Sequence, residues 1–543
     1  MFRNEIKKAI EKALTEEKFS KTDIEITQPP DEKFGDYSTN VALKISSLTG
    51  DQRPVEIAKK IVPRLKKTTG ISKIAIIDPG FINFFLEPKL IQTNIQKIVK
   101  EDKSFGSLSI NNGKKAKVEF ISANPTGPLH IGNARGGPLG DSVANVLELT
   151  GYKVIREYYD NNVGSQVGIL AKTLKKKIDG EDSKEDQYSG SYYKELVQKL
   201  KKVKEEELGS KATALIFEEI IKDAKDMGIE FDEIQHEGDL QENRQTDEVV
   251  DFLKSKKLTK EKEGAVWFVP DDKFLEDRES VLVRSNGTYT YFADDIAYHK
   301  KKFESNPDLV INILGSNHHG HVPRLQAAIK ALGYDPSSYK DLQSLRPRGL
   351  KIVLYQYVRV KRGKDIVRMS KRAGNFVTAR EVLKEVGKDA FRFFLLSHAP
   401  NTHMDFDLEL AKQKSESNPV YYVQYAHARA SSILKNAQKE GFSFEKFSKA
   451  DISLLSEPAE LTLAKKIQKL PELVEDISES LSVHQLTTYS IEIADLFHKY
   501  YEKYRVIGER DDLVEARLNL ILATKIALRN TLNLLGVSAL EKM

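Results

Sequence analysis

Apolar positions along the chain change their spacing twice, and each regime predicts a different kind of structure. From Ile6 to Leu14 ("IKKAIEKAL") they recur three and four residues apart, as on one face of a helix. "PPDEKFGDYSTNVALKIS" then mixes turn residues with the start of another helix. "ISKIAIIDPGFINFFL" has the β-branched and aromatic content of strands, broken at Pro79-Gly80. These features predict a small α+β unit over residues 1–108, ending in the Gly-, Ser- and Asn-rich tract "EDKSFGSLSINNGKK". From about 110 to 410 short apolar runs alternate with helical segments. "KVEFISA", "YKVIREYY", "GAVWFV", "SVLVRS", "LVINILG" and "KIVLYQYVRV" predict strands; "PLGDSVANVLELTG", "TALIFEEIIKDAKDMG" and "VPRLQAAIKALG" predict helices. That βαβ rhythm predicts a Rossmann-like α/β domain over 109–414, a parallel sheet covered by helices. Residues 171–211 read as a charged, partly mobile insertion within it. Beyond 415 strand signals vanish, so 415–543 is expected to be an all-α helix bundle.

Composition narrows the class. A chain of 543 residues exceeds what one core usually serves, which agrees with several domains. With 40% hydrophobic and 30% charged residues it reads as a soluble folded protein. No stretch approaches the roughly 20 apolar residues of a membrane span, and the first residues have neither the apolar core of a secretory signal nor the acid-poor character of a mitochondrial one. The absence of cysteine excludes disulfides and thiolate metal sites and suits a reducing cytosol, so a cytoplasmic location is expected. A formal charge of +5 permits a polyanionic partner without demanding one, since a lysine-rich solvated surface gives the same value.

Candidate chemistry begins where "KVEFISA" ends. Asn124-Pro125-Thr126-Gly127-Pro128 leads through Leu129-His130-Ile131-Gly132-Asn133 into a predicted helix. Strand, Gly/Pro-rich turn and helix start together make an anion-binding geometry. An imidazole at His130 can donate to a phosphate oxygen, and Gly132, lacking a Cβ, leaves room for a flat base. Taken alone, the same residues are equally a surface turn with a histidine in it. A second segment, "VKRGKDIVRMSKRAGNF", carries a basic loop at Arg368-Met369-Ser370-Lys371-Arg372.

The two stretches together resemble the paired signatures of class I aminoacyl-tRNA synthetases, usually H-I-G-H and K-M-S-K, in the same order and each at a strand–loop junction. The flanking "VEFISANPTGPLHIGNARGG", "KRAGNFVT", "GKDAFRFFLLS", "DFDLELA", "NPVYYVQYAHAR" and "HQLTTYSIEIADLFHKYYEKYRVIGE", with the ending "LLGVSALEKM", are similar to bacterial-type arginyl-tRNA synthetases. "FGDYSTNVA" and "PGFINFFL" are similar to that family's additional N-terminal domain. The resemblance covers nearly the whole chain and is weakest at 171–211. It departs from the family at Asn133, where the second histidine of the first signature usually stands, at Arg368, which replaces the first lysine of the second, and at Asn162, often aspartate.

The resemblance implies an enzyme that activates L-arginine with ATP and transfers it to the 3'-terminal adenosine of tRNA(Arg), with activation dependent on bound tRNA. His130 and Lys371 would be its catalytic pair. It implies ATP contacts at Ala123, Asn124, Pro125, Thr126, Gly127, Pro128, Leu129, His130, Ile131, Gly132 and Asn133, and at Arg368, Met369, Ser370 and Lys371, with Mg²⁺ arriving on the nucleotide. Arginine contacts would be Glu119, Asn124, Tyr291 and Asp295, with His318 and His319 as further candidates. A guanidinium is best met by a carboxylate fork; with no family at hand, Asp295 could as well cap a helix and Glu119 lie exposed on a strand. Three histidines in "GSNHHGHVPR" without a nearby acid make a poor zinc constellation, so no protein metal site is expected. Tyr501, Tyr504 and Arg505 are candidates for tRNA contact, through stacking on unpaired bases and phosphate pairing; helical spacing also allows many tyrosines of this region to be core. The N-terminal domain would meet the tRNA's outer corner and the helix bundle its anticodon, in a monomer. Two rivals remain: a synthetase for another amino acid, and a tRNA-binding protein without catalysis.

Overall fold

Four strands near the N-terminus, β1 (Ile26–Thr27), β2 (Tyr37–Thr39), β3 (Ile71–Ile77) and β4 (Phe81–Leu86), form an antiparallel sheet in the order β1-β2-β4-β3. The turn at Pro79-Gly80 is the hairpin between β3 and β4. The structure, a computed structural model, describes residues 2–50, 52–65, 68–181, 188–270, 279–334, 349–363, 365–367 and 377–543. Helix Phe2–Glu16 buries Ile6, Ile10, Ala13 and Leu14, the stripe that its sequence spacing predicts. This unit docks on the C-terminal helices: Tyr37 Oη donates to Glu472 Oε1 at 2.7 Å.

The central sheet is parallel and five-stranded. Its members are β5 (Lys115–Glu119), β6 (Lys153–Asp160), β7 (Glu233–His236), β11 (Leu309–Gly315) and β12 (Gly349–Tyr355), in the order β12-β11-β5-β6-β7. A further antiparallel sheet, β8 (Thr259–Lys262), β9 (Ala265–Phe268) and β10 (Ser280–Val283), interrupts it between β7 and β11. A third small sheet joins β13 (Val358–Arg362), β14 (Asp365–Ile366) and β15 (Met404–Asp407). From Pro419 onward the chain is helical, ending in Asp511–Leu534, which is buried along most of its length. Arg392, fully buried, ties the layers together. Its Nη2 reaches Asp141 Oδ2 at 2.6 Å, and Nε and Nη1 donate to the carbonyls of Leu535 and Met227.

Three readings of the sequence need correction. "GAVWFV" and "SVLVRS" are strands, but of the antiparallel sheet; a short apolar run does not reveal its partner. "KIVLYQYVRV" is two strands, β12 and β13, in different sheets, and β15 carried no recognised signal. The described residues of 171–211, which leave out 182–187, are not a solvated excursion: helices Ser165–Ile178, Ser191–Leu200 and Leu208–Asp226 account for most of them, and Tyr188, Tyr193, Leu196 and Leu200 are buried in the main core.

Candidate functional site

The first signature sits at the C-terminal edge of the central sheet, where open parallel sheets bind ligands. After β5 the chain turns through two non-glycine residues with left-handed backbone, Ile121 (φ 67°) and Ser122 (φ 39°). Ser122 Oγ accepts from the Tyr159 N–H at 3.1 Å and holds this costly turn in place. Tyr193 Oη donates to the Thr126 carbonyl at 2.8 Å, and a Cβ on Gly127 would stand 2.6 Å from that hydroxyl, so residue 127 must be glycine-sized. The segment read as an insertion therefore braces the signature.

His130 is the N-cap of the short helix Ile131–Ala134, its Nδ1 accepting from the Asn133 N–H at 3.3 Å. With Nδ1 accepting, a neutral ring carries its proton on Nε2 and presents a donor there. The space left by Gly132 is filled by this imidazole rather than left for a base: a Cβ would meet its Cε1 at 3.0 Å. Asn133 serves the local fold through its backbone, its carbonyl accepting from Tyr355 Oη at 3.3 Å, so the loss of the usual histidine side chain leaves these bonds in place. Arg135, which no motif singled out, is buried with its guanidinium donating to the carbonyls of Gln356, Thr402, Ala399 and His398. Burial without a carboxylate partner pulls its pKa down to about 10.

Arg368, Met369, Ser370 and Lys371 lie outside the described residues. The described chain resumes at Val377. The N–H of Ile131 donates to the Val377 carbonyl at 3.3 Å, the N–H of Ala379 donates to the Leu129 carbonyl at 2.8 Å, and His130 and Thr378 form an antiparallel bridge. Residues 377–379 are thus paired, backbone to backbone, with the first signature.

Beside this turn lies an acidic cluster. Helix Tyr291–Glu304 begins at a Thr290 N-cap, so Tyr291 and Asp295 are one helical turn apart. Tyr291 Oη lies 3.3 Å from Ser165 Oγ, accepts from the Gln166 N–H, and Gln166 Oε1 accepts from Asn124 Nδ2 at 3.1 Å. Asp295 Oδ2 is 2.9 Å from His321 Nε2, while Arg324 Nε donates to His321 Nδ1 at 2.7 Å. Burial raises the Asp295 pKa, but the hydrogen bond and charge of His321, with His299 and Arg324, outweigh it and hold the carboxyl below its usual value. An acid therefore does stand beside the histidine cluster. Even so, among the described residues no three His, Asp or Glu side chains converge as a metal-binding group. His318 follows in the 3₁₀ turn Ser316–His318, its pKa lowered by the crowding around it and by His321, against the pull of Asp295 and Glu119. His319 is exposed one residue on.

Glu119 is not an exposed strand residue. It is 4% exposed and its Oε2 lies 2.5 Å from Lys302 Nζ. Sequence reasoning also missed Glu237, 1% exposed, whose Oε2 has no hydrogen-bond partner among the described residues. Burial, then the charges of Asp294 and Asp295 and a hydrogen bond shared with Asp294, push its pKa up to about 10. Two carboxyls can share such a bond only with a proton between them. Tyr159 and Tyr298, stacked at 4.2 Å, bury hydroxyls that find no partner among the described residues.

Three family descriptions match the chain: "Arginyl tRNA synthetase N terminal domain" over residues 1–86, "tRNA synthetases class I (R), catalytic domain" over 94–223 and 191–396, and "DALR anticodon binding domain" over 423–543. The arginine–tRNA ligase of Caldanaerobacter subterraneus subsp. tengcongensis is 39% identical over 570 residues, covering 100% of this chain and 99% of that one. That of Thermotoga maritima is 39% identical over 563 residues, covering 100% of both. The chain belongs to the arginyl-tRNA synthetase family. The crystal structure of the Thermus thermophilus arginyl-tRNA synthetase has the same fold, with a TM-score of 0.82 at 23% identity over 100% of both chains.

In this synthetase the helices matched as the anticodon-binding domain present an aromatic and basic face. Tyr421 and Tyr425 are parallel at 6.3 Å, Arg429 Cζ stands 4.5 Å over the Tyr501 ring, and Arg429 Nη1 donates to Tyr425 Oη at 2.9 Å. Of the candidates read from sequence, Tyr501 joins this cluster. Tyr504 is half-buried and donates to Glu457 Oε2 at 3.0 Å; Arg505 is exposed beyond it. Tyr421, Tyr425 and Arg429 were legible in "YYVQYAHAR" but not singled out.

Proposed function

We propose that this chain joins L-arginine to the α-phosphate of ATP, expelling pyrophosphate, and passes the activated arginine to the 3'-terminal adenosine of tRNA(Arg). The observation that supports this reading is the backbone pairing of residues 129–131, in the first signature, with 377–379, six residues and more beyond Lys371 in the sequence. ATP lies along Ala123 to Asn133, with the Nε2–H of His130 donating to a phosphate oxygen. Mg²⁺ arrives on the phosphates and offsets their charge. Lys371, with Arg368, brings positive charge to the pyrophosphate as it leaves. Such transfer needs positioning and charge neutralisation rather than a covalent intermediate.

The substrate's carboxylate must reach the α-phosphate, so its α-ammonium end falls to Glu119 and Asn124, next to the ATP turn. The guanidinium then extends to Tyr291 and Asp295, with Glu237 and Asp294 behind them. A carboxylate already ionised, as Asp295 is, receives a guanidinium without first losing a proton. Residues 1–108 meet the outer corner of the tRNA and 415–543 its anticodon, where Tyr501, Tyr504 and Arg505 contact the RNA. The enzyme works as a monomer in the cytoplasm. Amino-acid-dependent exchange of pyrophosphate into ATP, surveyed across all twenty amino acids with tRNA present, tests the assignment. A response to arginine is expected; a response to another amino acid overturns it.

A further inference from the structure

Parallel register aligns Asn312, Glu119, Glu157 and Glu233 in one row across β11, β5, β6 and β7. The interior of a helix-covered parallel sheet is ordinarily apolar. Here a helix lays a lysine across the row: Lys302 is 1% exposed, with Nζ 2.5 Å from Glu119 Oε2 and 3.1 Å from Glu157 Oε2. The same ammonium donates to Asn312 Oδ1 at 3.1 Å and sits 4.1 Å from the centre of the Tyr298 ring. Asn312 Nδ2 in turn donates to His299 Nε2 at 2.7 Å, and His299 Nδ1 donates to the Asp295 carbonyl at 2.7 Å. Lys302 therefore links Glu119, on the sheet, to the helical turn that carries Asp295.

We propose that Lys302 is a positioning residue for arginine: it fixes the Glu119 carboxylate, and its distance from Asp295, so that one substrate spans both. The proposal rests on the reading that Glu119 receives the α-ammonium. Two features separate this role from mere neutralisation of buried charge. Among the described residues Lys302 and Lys117 pair with three carboxylates, the buried Glu119 and Glu157 and the half-exposed Glu233, so a substrate ammonium would meet a row in which carboxylates outnumber ammonium groups. The Asn312–His299 relay also runs to the guanidinium end of the pocket, which neutralisation does not require. Burial opposes the charge on Lys302, but the two glutamates hold its pKa above the usual lysine value, so the ammonium is present throughout the working range.

The test is a coupling cycle in the complete charging reaction, with KM measured separately for arginine, ATP and tRNA. Glu119→Gln is expected to raise the arginine KM about tenfold or more, the loss of one charged hydrogen bond. Lys302→Met is expected to raise it comparably, with KM for ATP and tRNA nearly unchanged, and to add little in the Glu119→Gln background. If Glu119→Gln leaves the arginine KM unchanged, the reading of Glu119 falls and this proposal with it. If Glu119→Gln has its effect but Lys302→Met has none, or adds its full effect in the double variant, Lys302 does not act through Glu119 and the proposal alone is overturned. Should Lys302→Met not fold, the charge-balanced Lys302→Met/Glu157→Gln variant is expected to fold with the same arginine-specific defect. Failure of both to fold makes Lys302 structural and overturns the proposal.

Discussion

Replacing Glu237 by glutamine is expected to make the protein more stable and the enzyme worse. Glu237 is buried among Asp160, Asp294 and Asp295, and its carboxyl is held protonated, with a pKa of about 10 against 4.5 in an unfolded chain. Below 4.5 it is protonated in both states and costs nothing. As pH rises above that value the unfolded chain ionises freely while the folded one cannot, so stability falls by roughly 1.4 kcal/mol per pH unit until the folded group itself ionises near 10. At pH 7 the accumulated cost is about 3 kcal/mol. An amide has no proton to lose and can still donate to Asp294, so Glu237→Gln recovers up to that amount at pH 7 and little at pH 5. Urea unfolding followed from pH 5 to pH 9, using the transition of the catalytic domain, measures the difference. A stability gap that widens with pH is expected, together with a raised arginine KM because a carboxyl that could ionise against the incoming guanidinium has been replaced by an amide that cannot. A gap independent of pH, or a variant less stable than the parent at pH 8, refutes the reasoning.

Other substitutions probe other parts of the account. Asp295→Asn removes the ionised partner of the guanidinium and is expected to raise the arginine KM about a hundredfold with the ATP KM unchanged; a change under about threefold would contradict the pocket. Lys371→Ala is expected to slow arginine activation about a hundredfold while tRNA affinity, measured by filter binding, holds. Equal charging by parent and variant would favour the tRNA-binding rival. Arg392→Met takes the nearer cation from the buried Asp141 carboxylate, leaving Arg156 Nε at 3.2 Å, and breaks the bonds to Leu535 and Met227, at a cost of about 2–4 kcal/mol. A calorimetric melting temperature equal to the parent's would contradict that placement.

Helix and strand positions were largely legible because periodicity reports local burial. What periodicity misses is which face is truly solvent. In "AKVEF" the apolar Ala116, Val118 and Phe120 alternate with Lys117 and Glu119, the pattern of a strand with one wet face. Both polar residues are in fact buried, because their charges are matched by Lys302 and Glu157 from segments that only sheet register brings near. The same holds for Glu237, whose carboxyl neighbours Asp294 and Asp295 lie far off in sequence. Residues 171–211 misled through their charge, although Tyr188, Tyr192 and Tyr193 already offered anchors for burial. Tyr291 and Asp295 stand one helical turn apart as their spacing predicts, and His130 lies in the turn that its flanking residues predict, while the roles proposed for them rest on the family resemblance.

The account turns on whether this chain attaches arginine to tRNA. Incubating the purified protein with ATP, Mg²⁺, total tRNA and labelled arginine, and counting acid-precipitable label, measures it directly. Label is expected to accumulate only when ATP and tRNA are both present, with an excess of each of the other nineteen amino acids failing to compete. No incorporation, or displacement by a different amino acid, would contradict it.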